Sequence, residues 1–109
     1  MLKRKKDRLA VKEFCNKVRD RLGKTVRVIK LLGSKVTGRD MPESDIDLFI
    51  VVSKNTPEVE DIILDIAFEI DVKHNVYISP GIVSQAVLKH WVWKNTPFIK
   101  NIERKGVPL

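Results

Sequence analysis

A small α/β domain with a short sheet is what this chain predicts. Helical stretches, with apolar residues three and four positions apart, alternate with short runs rich in β-branched residues. The 109 residues suit one domain, expected to span 1–109, large enough to bury a core without disulfides.

Val11, Phe14, Cys15, Val18 and Leu22 mark an amphipathic helix over about 5–22, stopped by Gly23. Arg19 and Arg21 suit the negative end of its dipole. Val26 to Leu32 is short and β-branched, hence a strand. Gly33, Gly38 and Pro42 then predict a short helical turn and a loop. Ile46 to Val52 is apolar at nearly every position, as in a strand covered on both faces or set in mid-sheet.

After a turn at Ser53 to Pro57, Thr56 can cap a helix that has Pro57 in its first turn. Val59, Ile62, Ile63, Ile66 and Ile70 form that helix's buried stripe. Val72 to Ile78 or a little beyond reads as a third strand, ended by Pro80-Gly81; Ile82 to Trp93 is ambiguous, with Val83, Val87, Leu88 and Trp91 favouring a helix. In "TPFIKNIERKGVPL" Thr96 is a cap, Phe98, Ile99 and Ile102 a buried face, Gly106 a stop and Pro108 a barrier.

At 43% hydrophobic and 32% charged, the composition is that of a folded globule, neither disordered nor fibrous. No apolar stretch approaches the roughly 20 residues of a membrane span, and no apolar region follows the basic start. A lone Cys15 suits a reducing compartment, so a cytoplasmic protein is expected. The net charge of +7 favours anionic partners. Much of it sits in Lys3, Arg4, Lys5, Lys6, Arg8 and Lys12, either a solvated helix end or an arm for nucleic acid.

"LLGSKVTGRDMPESDIDLFIVV" sets Asp45 and Asp47 just ahead of the apolar strand. Alternation points both acids to one face, about 7 Å apart along the strand. Two such acids at a core edge repel each other and resist desolvation, which a divalent cation relieves. Magnesium suits oxygen-only ligands, with a substrate phosphate completing its shell. At Gly33-Ser34 a bare backbone and a hydroxyl can approach a phosphate, and Lys35 and Arg39 can add positive charge. Taken separately, Ser34 also reads as a plain helix cap and Asp45 as an ordinary strand start.

Together, Gly33-Ser34, ten intervening residues and Asp45-Ile46-Asp47 resemble the signature of the DNA polymerase β-like nucleotidyltransferase superfamily. The stretch looks like its minimal, single-domain members, among them antitoxin partners of HEPN-domain toxins. The resemblance implies an α+β fold, a small mixed β-sheet flanked by helices. It further implies nucleotide-phosphate binding by Gly33 and Ser34, and Mg²⁺ ligation by the catalytic pair Asp45 and Asp47. The implied reaction moves NMP, expected to be AMP from ATP, to a hydroxyl of a partner protein or another acceptor. Active members usually carry a third carboxylate in the middle of the next strand. Here "VKHNVYIS" has none: Asn75 and Tyr77 stand in that region, Asp71 at its start and Glu69 on the helix before it.

A second reading therefore keeps the fold as a weak or inert nucleotide- or protein-binding module. A third, RNA binding, has only charge behind it. His74 and His90 lack partners at metal-ligand spacing and suit surface or packing roles. Tyr77 suits core packing with its hydroxyl at the rim. Trp91 and Trp93 can stack a base or pack near a subunit contact. A homodimer is expected through this apolar C-terminal half.

Overall fold

The structure is a computed structural model that describes residues 4–32, 45–93 and 96–109. Helix α1 spans Lys5–Leu22 and ends at Gly23, whose φ of 53° is the positive region open to glycine. A 3₁₀ turn, Gly23–Thr25, leads into β1, Val26–Leu32. Strand β2 is Ile46–Val52 and helix α2 is Pro57–His74. Strand β3 (Ile78–Ser84), helix α3 (Gln85–Trp93), helix α4 (Pro97–Lys105) and the short strand β4 (Val107–Pro108) complete the order. The turn expected after Gly33 lies outside the described residues.

The four strands form one mixed sheet in the order β3-β2-β1-β4. Strand β2 runs parallel to β3 through the α2 crossover, while β1 is antiparallel to both β2 and β4. Helices cover both faces. On one, Ile29, Leu31, Ile46, Leu48, Ile50 and Ile78 pack with Phe14 and Val18 of α1 and Ile63, Ile66 and Ile70 of α2. On the other, Phe49, Val51 and Val83 meet Ile99 and Ile102 of α4, with Leu88 and Trp91 of α3 partly buried beside them. Full burial of each large aliphatic chain contributes about 1.5–3 kcal/mol, so the uninterrupted apolar run of β2 follows from its place between two helical layers.

The third strand lies later than its sequence predicts. Helix α2 continues through Val72, Lys73 and His74, and Asn75 ends it in the left-handed region at φ 54°, ψ 52°. Asn serves there because its short polar side chain tolerates that conformation. Strand β3 then begins at Ile78 and runs through Pro80-Gly81 instead of stopping there. It is an edge strand, where a missing proline N–H can face away from the ladder. Pro108, beyond the end of α4 at Lys105, also pairs with Lys30 of β1. No helix among the described residues is long and apolar enough to cross a membrane.

Candidate functional site

Asp45 and Asp47 stand where β2 enters the sheet. Their neighbour Ile46 is buried in the core, so alternation turns the two acids to the opposite face. Asp45 is exposed and Asp47 half-buried. Asp47 pairs with Leu32 on one side and Ser79 on the other. The Ile46 N–H donates to the Tyr77 carbonyl at 2.8 Å, seating the entry of β2 on the residue before β3.

A third acid, Asp71, lies within range of the Asp45 charge. Burial pushes the Asp47 carboxyl above the usual carboxylate range, and the negative charge of Asp45 adds to the rise. Asp71 is raised by the same two causes, burial first, against a lowering by the Ile78 N–H. Asp71 lies in the last turn of α2, on the α1/α2 side of the sheet, not at the start of a strand. The Asp45 charge therefore reaches one acid of β2 and one of α2. Asp71 Oδ1 accepts from Ile78 N at 2.7 Å, and its backbone carbonyl accepts from Asn75 and Val76.

Glu69 points elsewhere and pairs with Lys17 of α1. Tyr77, expected to pack in the core, is exposed; its contribution at the site is its carbonyl. Ser79, beside Asp47, had no mark in the sequence, because only the parallel register of β2 and β3 brings the two together. His74 lies 3.3 Å from Glu13, and His90 is exposed on α3. The N-terminal end of α1 lies at this same end of the fold: Lys6 Nζ reaches the Asn75 carbonyl at 3.2 Å.

Gly33, Ser34, Lys35 and Arg39, expected around the nucleotide phosphates, lie outside the described residues. Leu32, the residue before Gly33, is the register partner of Asp47. Among the described residues no cationic side chain pairs with Asp45 or Asp47, and no three of His, Cys, Asp and Glu are grouped to hold a metal. Two neighbouring carboxylates, one penalised by burial and by the charge of the other, fit a hard divalent ion whose remaining ligands come from water and substrate.

Residues 11–106, most of the chain, match the family model described as the nucleotidyltransferase domain. No curated protein and no solved structure matches.

Proposed function

This chain belongs to the nucleotidyltransferase domain family, and from that premise we propose that it moves AMP from ATP to a hydroxyl of a partner protein, with Mg²⁺. Transfer of a nucleoside monophosphate from an NTP is the general activity of the family. The finer proposal makes residues 1–109 one domain of the minimal, cytoplasmic type, acting beside a HEPN-type partner. What supports it is the pair Asp45 and Asp47 at the mouth of a strand covered on both faces, with Asp47 next to Leu32.

In this reading Asp45 and Asp47 hold the ion. When bound, it neutralises charge developing on the reacting phosphate. Gly33 and Ser34 bind the nucleotide phosphates, and Lys35 and Arg39 supply positive charge around them. The acceptor hydroxyl oxygen forms a bond to the α-phosphorus as the bond to pyrophosphate breaks, and its proton passes to solvent. The protein contributes position and charge and forms no covalent intermediate.

A second reading, binding without turnover, is favoured by one observation: β3 presents Ser79, not a carboxylate, beside Asp47. Incubation with α-labelled ATP, Mg²⁺ and the product of the neighbouring gene separates the two. Label transfer lost in Asp45→Asn and Asp47→Asn supports the enzyme. Mg-ATP binding without label on any acceptor supports the inert module.

A further inference from the structure

Beyond its carbonyl, Tyr77 brings a ring and a hydroxyl to the acidic end of the sheet. In the parallel register of β2 and β3, Ile46 pairs with Ile78 and Asp47 with Ser79. Ile46 and Ile78 are both buried in the cluster with α1 and α2. Asp45 and Asp47 flank the first, Tyr77 and Ser79 the second. Alternation therefore sets two acids and two hydroxyl residues on the opposite face, one strand spacing of about 4.8 Å apart.

The backbone around Tyr77 is held on both sides. Its carbonyl accepts from Ile46 N at 2.8 Å. Before it, Val76 N donates to the Asp71 carbonyl at 3.2 Å, and after it Ile78 N donates to Asp71 Oδ1 at 2.7 Å. The side chain is not held. It is 61% exposed, and its hydroxyl has no hydrogen-bond partner among the described residues. A packing role would bury the ring or engage the hydroxyl. Here a fixed backbone carries an unengaged nucleophile beside the acids.

Length separates the two hydroxyls. Ser79 is half-buried, and its short side chain ends near the level of the strand. A tyrosine hydroxyl stands at the far end of a ring and is long enough to pass the carboxylates. An ion held there lies about 2.1 Å beyond a carboxylate oxygen and carries the substrate phosphate on its outer side. Tyrosine, not serine, can reach that level.

We infer that Tyr77 is a self-modification site, its hydroxyl an acceptor for the nucleotide held at Asp45 and Asp47 of the same chain. This site rests on the proposed transfer reaction. The phenolic oxygen forms a bond to the α-phosphorus, and the bond from that phosphorus to the pyrophosphate oxygen breaks. Pyrophosphate leaves, and the phenolic proton passes to solvent. An acceptor fixed beside the phosphate needs no encounter with a second molecule. Well-oriented groups of this kind reach effective molarities on the order of 10⁵ M or more.

The chain has one tyrosine, so the label has one place to be on that residue type. The full chain is incubated with α-labelled ATP and Mg²⁺, alone and with the product of the neighbouring gene. Tandem mass spectrometry of wild type should find one added AMP on Tyr77 in both. The label should be lost in Tyr77→Phe and kept in Ser79→Ala. Tyr77→Phe retains the ring and the bonded carbonyl, so its loss of label reports the hydroxyl alone; circular dichroism checks its fold. The initial rate per chain should not change with protein concentration. A mixture of Tyr77→Phe and Asp47→Asn should stay unlabelled on the chain, since one lacks the acceptor and the other an ion ligand.

Label on the partner protein with Tyr77 bare would overturn the self-modification and leave the transfer reaction standing. Label elsewhere on the chain, or on Tyr77 of the Asp47→Asn chain in the mixture, would also overturn it. No label on any acceptor would remove both.

Discussion

Asp71 and Ile78 meet across the reversal between α2 and β3, the carboxylate Oδ1 accepting from the backbone N–H at 2.7 Å. The carbonyl of Asp71 closes the helix, so one residue ends α2 and seats the first residue of β3. Ile78 is paired with Ile46, which lies between Asp45 and Asp47. The reversal thereby fixes the strand entry that carries the acids. Asp71→Ala is expected to lower stability by about 1–2 kcal/mol, because a buried N–H loses its acceptor. Asp71→Asn, which keeps an oxygen at that place, should recover most of it. Urea unfolding of the three proteins measures both effects, and equal losses in Ala and Asn would reject the role.

Asp47 gives stability a pH dependence of definite sign. Its folded pKa is raised by burial and by Asp45, so the folded state binds the proton more tightly than the unfolded one. Stability from this group is then greatest at low pH. It falls as pH rises from the ordinary carboxylate value of about 4 through the raised folded value. Thermal melts in chelator should show this fall in wild type and a weaker one in Asp47→Asn, which should melt higher than wild type at pH 7. Added Mg²⁺ should raise the wild-type melting temperature and leave that of the variant nearly unchanged. A variant less stable than wild type in chelator would contradict this account.

Gly106 is the close approach of α4 to the sheet. A Cβ there would lie 2.6 Å from the Ile102 carbonyl and within 3.3 Å of the Lys30 and Leu32 side chains. The clash with backbone cannot be relieved by a rotamer change. Gly106→Ala is expected to cost about 1–3 kcal/mol and to lift β4 from β1. Hydrogen exchange should report it at the Leu109 amide, which donates to the Ile29 carbonyl at 2.8 Å. Unchanged protection at Leu109 would exclude the displacement.

Thr56 and Thr96 make equivalent caps, their hydroxyls accepting from Val59 N and Ile99 N at 3.2 and 3.3 Å. Replacing either by Ala is expected to cost about 1 kcal/mol. The double variant should lose the sum within about 0.5 kcal/mol, provided the two caps share no partners. Denaturant midpoints give all three values.

Local chemistry wrote α1, α2 and α4 legibly. Gly23 and the Thr-Pro pairs at 56–57 and 96–97 act within one turn of chain, where propensity and capping decide the outcome. The burial of β2 on both faces was legible for a similar reason, since its apolar run tolerates no wet face. Sequence was less informative about β3. Val72, Lys73 and His74 carry both helical and extended character. The left-handed Asn75 and the carbonyl of Asp71 resolve it only once the chain has reversed.

The sequence by itself therefore determined the stops of α1 and α4, the doubly covered strand and the adjacency of Asp45 and Asp47 at its start, all set by residues close together along the chain. Tertiary structure alone decided that Ser79 is the neighbour of Asp47, that Asp71 comes within reach of the Asp45 charge, and that Phe68 is left facing outward. Strand register, through-space charge and the choice of which helix covers which face are relations between distant segments. No single segment encodes them.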